Sequence, residues 1–178
     1  MSESRETWID KSDWGDGPWQ DEPDRIEWRV GPIAALMLRN PRGGFWCGYV
    51  GVPPGHAWHG KQAWYGEDGE TISPDVHGGL TFADGCMNDD RPQRERVCHV
   101  PRPGESDDVW WLGFDCTHAW DRAPAREVRD RELAERLRAE GDHAGARLFD
   151  RPDPNTEYRD EWYVRREINS LAAQALSA

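Results

Sequence analysis

The sequence lacks what a membrane or nucleic-acid protein would need. No run approaches the roughly eighteen apolar residues of a membrane span, and the opening Met-Ser-Glu-Ser-Arg-Glu has no apolar stretch of the secretory kind. A soluble, cytoplasmic protein is expected. Positive charge is scarce: 22 Lys and Arg face 34 Asp and Glu, for a net charge of −12. A polyanion would be repelled at encounter, so neither direct nucleic-acid binding nor membrane attachment is expected. There is no GxGxxG, no Walker A run and no GxSxG, which removes the standard dinucleotide, P-loop and serine-hydrolase signatures. Cys47, Cys86, Cys98 and Cys116 form no CxxC pair. In a chain of this kind all four are expected to be reduced, with Cys47 a small buried hydrophobe.

What is present is aromatic mass. Of 178 residues 37% are hydrophobic, and 11 are tryptophan. Residues 1–28 carry nine acids, with Trp8, Trp14, Trp19 and Trp28 among them at no regular period. Gly15, Gly17, Pro18 and Pro23 break any long element there. This segment is expected to be an acidic, Trp-rich arm pinned to the rest of the chain by its indoles. Residues 29–178 are then a single domain, with 119–155 a polar, partly helical insertion.

Within that domain Ile33-Ala-Ala-Leu-Met-Leu38 and Phe45-Trp-Cys-Gly-Tyr-Val-Gly-Val52 read as a hairpin about Asn40-Pro-Arg-Gly-Gly44. Third and fourth strands are expected over Val76 to Phe82 and Val109 to Asp115. Glu127 to Arg138 should be a surface helix. A last helix, capped by Asn155 or Thr156, should run to about Leu176, because Val164, Ile168, Leu171 and Ala175 recur at spacings of four, three and four. The expected fold is α+β: a small antiparallel sheet packed against the C-terminal helix.

Chemistry gathers at two strand ends. His77 is followed by Gly78-Gly79, and Thr81 would share its face on a regular strand. The glycines suit a ligand approaching the backbone, or else a β-bulge. Asp115, Cys116 and His118 close the fourth strand. Asp115 would share a face with Trp111 and Gly113, leaving Cys116 with Phe114. A carboxylate beside an imidazole orients the ring and raises its basicity, so Asp115 with His118 suits general-base work, and His77 the partner acid. The plainer alternative has Asp115 accepting backbone N–H bonds in the turn. His56 completes the candidate set, and Trp58, Trp64 and Tyr65 would supply a stacking wall. No spacing reproduces a zinc signature. A divalent metal is left open as a cofactor, with no ligand set assigned.

The segments Cys47-Gly-Tyr-Val-Gly-Val-Pro-Pro-Gly-His56, Val76-His-Gly-Gly-Leu-Thr81, Trp111-Leu-Gly-Phe-Asp-Cys-Thr-His118 and Tyr158 to Leu176 resemble a group of small uncharacterised proteins encoded by phages and mobile elements of actinobacteria. Where those proteins have Ala-His-x-Gly-Asp, this chain has Thr-His-Ala-Trp-Asp121. The resemblance implies an accessory role in phage–host conflict, in the cytoplasm of the host cell. The residues suggest a small-ligand site at one rim of the sheet, with His77, His118 and Asp115 catalytic and His56, Gly78, Gly79, Thr81, Trp58 and Tyr65 binding. A nucleotide, such as an immune signalling nucleotide, is the expected ligand class. If the protein is an enzyme, it is a hydrolase or phosphodiesterase. The alternative is an acidic interaction module or DNA-mimic decoy that blocks a host factor.

Overall fold

A computed structural model describes residues 3–63, 71–87, 89–99, 104, 106–149 and 154–178. Six strands form one antiparallel sheet: β1 (Ser4–Glu6), β2 (Arg25–Val30), β3 (Ile33–Arg39), β4 (Trp46–Val52), β5 (Phe82–Gly85) and β6 (Trp110–Asp115), in the order β1-β2-β3-β4-β6-β5. The helices are α1 (Pro124–Ala139), the single turn α2 (His143–Ala146) and α3 (Glu161–Leu176). The fold is therefore α+β, with the C-terminal helix packed on the sheet. No helix among the described residues is long and apolar enough to cross a membrane.

The β3–β4 hairpin forms as the sequence predicts, with Leu36 opposite Tyr49 and Leu38 opposite Cys47. Its turn is held by the Asn40 side chain, which accepts the Arg42 and Gly43 N–H groups at 2.9 Å each. Strand alternation then sorts the core into two layers. Ile26, Met37, Trp46, Val50, Leu112 and Phe114 face α3 and meet its Val164, Ile168, Leu171 and Ala175. Leu36, Leu38, Tyr49 and Trp111 face the opposite way, under Val97 and Val109. Gly48 makes the helix contact close: a Cβ there would stand 2.8 Å from Ile168 Cγ1 and 2.6 Å from the Phe114 ring. The cap of α3 is Asp160, whose carboxylate accepts the Tyr163 N–H at 2.8 Å, rather than Asn155 or Thr156. The surface helix expected over Glu127 to Arg138 lies inside α1, where only Pro124, Ala125 and Ala134 are buried.

The acidic segment is built into this core. β1 and the first four residues of β2 fall within residues 1–28, and Trp14 and Trp19 are buried. Glu22 and Asp24 run inward to Arg39, at 2.8 and 3.1 Å. Lys11 reaches the same Asp24 oxygen at 2.7 Å. Tyr158 and Trp46 also donate to Glu22, at 2.6 and 3.1 Å.

Two expectations are corrected. The third strand does not begin at Val76. Gly78 and Gly79 take φ of 65° and 83°, values no strand contains, so residues 76–81 form a turn and the ladder starts at Phe82. The cysteines are not all reduced: Cys86 and Cys98 form a disulfide, while Cys47 and Cys116 are free. Spacing alone could not reveal the pair, because a backbone reversal between residues 86 and 98 brings their Cα atoms to 4.7 Å.

Candidate functional site

Three segments converge on the helix side of the sheet, beside the start of α3: the 76–81 turn, the 116–121 turn after β6, and residues 159–167. Asp121 is their common point. Its Oδ2 accepts from His77 Nε2 at 2.8 Å, from His118 Nδ1 at 3.2 Å and from the His118 N–H at 3.0 Å. Its Oδ1 accepts from Arg159 Nε at 2.9 Å. The Asp121 side chain is fully buried, so these donors must replace its water. Burial alone would push its carboxyl up. The hydrogen bonds from His77, Arg159 and the His118 N–H outweigh that and hold it below the usual range.

The bonds assign the tautomers. An ionised carboxylate only accepts, so His77 donates through Nε2, while its Nδ1 is hydrogen-bonded to the Tyr163 hydroxyl, 2.9 Å away. The His77 N–H donates to Glu167 at 3.1 Å, so backbone and ring are both fixed to α3. His118 donates through Nδ1, so Nε2 is the nitrogen through which its ring can exchange a proton. It is also the more open of the two, with 22% of its side chain exposed against 5% for His77. A partly exposed histidine oriented by a buried carboxylate is built to take a proton. Trp120 lies flat on the His118 ring, 12° from parallel with centroids 5.4 Å apart, and is 51% exposed. Arg126 donates to Thr117 at 2.8 Å, and the exposed Arg166 sits over the Tyr163 ring. Cations thus border the site of an acidic protein. His77 Nε2, His118 Nδ1 and an Asp121 oxygen also lie within 4.8 Å of one another, close enough for one divalent ion.

The structure brings together His77, His118 and Gly78 from the expected set. Asp115 is elsewhere. It pairs across the ladder with Cys47, on the face opposite α3, and its Oδ1 accepts the Thr117 N–H at 3.1 Å. Asp121 occupies the orienting place expected of it. Cys116 points to the helix side with Phe114, and burial first, then the nearby carboxylates, push its thiol well up. It is no thiolate nucleophile. Gly79 completes the turn, its N–H donating to Val76 at 2.9 Å. The Thr81 N–H begins the β5–β6 pairing by donating to Gly113 at 2.8 Å. His56 meets the Ala175 carbonyl at 2.9 Å and accepts the Trp58 N–H at Nδ1. Ala175 is twelve residues beyond Tyr163, about 18 Å along the helix at 1.5 Å per residue, so His56 and Trp58 do not join the site. Trp64 and Tyr65 lie outside the described residues.

Tyr163, Arg159 and Glu167 were not anticipated. The available signal was the four-residue step from Tyr163 to Glu167, which sets both on one side of α3 next to the apolar stripe. Comparison with family models, with curated proteins and with solved structures finds no match to this chain.

Proposed function

We propose that this site binds and hydrolyses a small phosphate ester, with a nucleotide as the ligand class. The supporting observation is one buried carboxylate shared by two imidazoles, only one of which is open to solvent. In the proposed reaction His118 Nε2 takes a proton from water as the water oxygen attacks phosphorus. The bond from phosphorus to the leaving oxygen breaks, and that oxygen is protonated from solvent. Asp121 stabilises the imidazolium, and His77 with Arg159 keeps Asp121 in place. Arg126 and Arg166 offset phosphate charge, and Trp120 offers a face on which a base stacks. The likeness to phage-encoded proteins points to a signalling nucleotide, cleared during phage–host conflict.

A second reading comes from the same three donor atoms: a divalent ion held by His77, His118 and Asp121 would activate the water instead. The decoy reading would rest on the exposed arm acids Glu3, Glu6, Asp10, Asp13, Asp16 and Asp21. Glu22 and Asp24 are withdrawn from it, because they turn inward onto Arg39.

The test is a thermal-shift screen with mono-, di- and cyclic nucleotides, with and without divalent metals, followed by product analysis of any ligand that shifts the protein. His118→Ala should abolish turnover and keep binding. Turnover that survives chelation assigns the base role to His118; turnover that needs metal assigns the second reading. No shift and no turnover with any nucleotide would overturn both.

A further inference from the structure

On the opposite face of the sheet, we infer a second site: a redox-gated zinc site formed by Cys86, Cys98 and His99. It is independent of the His77–His118 site. The two sulfurs and a ring nitrogen of His99 lie within 4.8 Å of one another, and His99 is buried. Two thiolates and an imidazole are the donors zinc prefers, and the chain neighbours Cys98 and His99 supply two of them.

Three further features fit a metal rather than a staple alone. The Trp111 indole N–H points at Cys86 Sγ, 3.4 Å away, as a supporting donor to a thiolate would. A cavity of about 180 Å³ opens on the cluster, lined by Cys86, Cys98, His99, Arg96 and Asp107 among others. That leaves space for a fourth ligand, either the Asp107 carboxylate or a water, whose share of liquid volume is about 30 Å³. The surrounding backbone is already held without the disulfide. Arg25, 1% exposed, donates to the carbonyls of Arg96 and Cys98 at 2.8 and 2.6 Å, and its carboxylate partner is Glu27. Breaking the sulfur–sulfur bond therefore need not scatter the ligands.

The disulfide is the closed state of the site. A thiol reductant opens it: two reductant thiols give up two protons and two electrons, become a disulfide, and leave Cys86 and Cys98 as thiols. Zinc then displaces the two thiol protons to water and is held by two thiolates and His99. Oxidation of the thiolates by a small-molecule disulfide reverses the exchange and expels the ion. Zinc occupancy thereby reports the thiol balance of the compartment.

The experiment is a titration with Co²⁺ as spectroscopic stand-in, on full-length protein either oxidised or reduced with a phosphine and freed of it. Reduced protein should bind one cobalt with thiolate-to-metal charge-transfer absorption and the visible bands of a tetrahedral site, both bleached by zinc. Oxidised protein, folded and unmutated, should show neither. Cys86→Ser and Cys98→Ser should each abolish the charge-transfer bands, with circular dichroism confirming the fold. His99→Ala should weaken binding by more than the about 10–100-fold expected for a supporting partner. His118→Ala should leave the charge-transfer bands unchanged, since an ion at the other site has no sulfur ligand. Reduced protein without thiolate bands, or bands and affinity untouched by His99→Ala, would overturn the assignment.

Discussion

Gly78 and His118 are in direct contact: a Cβ built on residue 78 would stand 1.9 Å from His118 Cε1 and 2.1 Å from Nε2. The glycine is thus part of how the imidazole is placed. Gly79, its neighbour, has a similar left-handed φ of 83° but nothing within 4 Å of a built Cβ. The two positions separate backbone strain from contact. Gly79→Ala should cost only the strain of a left-handed residue, about 1–2 kcal/mol. Gly78→Ala should cost that plus displacement of the ring, and should lower nucleotide turnover or binding where Gly79→Ala does not. Paired thermal melts and ligand titrations check this; equal effects of the two would show that the contact is incidental.

Asp121 makes a pH prediction whose sign is set by its lowered carboxyl. A carboxylate depressed in the folded state contributes stability that is whole above its unfolded value of about 3.9. The contribution is lost as pH falls through the folded value. Asp121→Asn should therefore destabilise the protein near neutrality and flatten the acid limb of its stability curve. The loss should be of the order of the about 3–5 kcal/mol seen when one partner of a buried charged group is removed, because asparagine keeps one acceptor oxygen for four donors and carries no charge to offset Arg159. Urea melts of both proteins from about pH 2 to about pH 7 measure it. Parallel curves would place the acid sensitivity elsewhere.

The arm gives a third. Arg39 has a fully buried side chain, and its carboxylate partners Glu22 and Asp24 both come from residues 1–28. Glu22→Ala would take one of the two carboxylates of Arg39, leaving it Asp24, and would strip the Tyr158 hydroxyl and the Trp46 indole of their shared acceptor. A loss of about 3–5 kcal/mol is expected. Removal of residues 1–28 should leave no cooperative unfolding transition, as it also takes β1, most of β2, Trp14 and Trp19. A cooperative melt from the truncated chain would show the arm to be an accessory.

How far this was legible follows from the range over which each signal acts. The β3–β4 hairpin and α3 could be read because their periods are local: two apolar runs about a turn, and a stripe at spacings of four, three and four. β2 has the strand period too, with Ile26, Trp28 and Val30 alternating with Arg25, Glu27 and Arg29, but the prolines, glycines and acids before it read as an arm pinned by its indoles. Its charged row is tolerated because Arg25 finds backbone carbonyls beyond residue 90, a partner no local window contains. The same holds for the site. The His77-Gly-Gly and Cys-Thr-His118 patterns drew notice to both histidines. Asp115 and Asp121 each lie three residues from His118, so spacing could not choose between them. The choice was made by strand alternation, which turned Asp115 to the far face, and by the turn after β6, which brought Asp121 back beneath both rings.

The stacking wall gives the last prediction. Trp58 packs against the main core near the end of α3, whereas Trp120 is half exposed and lies parallel to His118. An exposed indole gains little from its own burial, so what holds it flat there is the imidazole on one face, and the geometry leaves an edge and part of a ring for a ligand. If a nucleobase uses that surface, Trp120→Ala should cost about 1–3 kcal/mol of binding, the usual worth of one base on one aromatic ring. Trp120→Phe should recover part of it. Because the ring also confines His118, the alanine variant should lose turnover beyond its loss of affinity. Trp58→Ala should lower the melting temperature with nucleotide affinity unchanged. Calorimetric titration of a nucleotide and of the corresponding ribose phosphate separates the contributions: Trp120→Ala should weaken the first and leave the second untouched. Equal losses for both would mean that Trp120 acts on the phosphate end through His118, and that the base is held elsewhere.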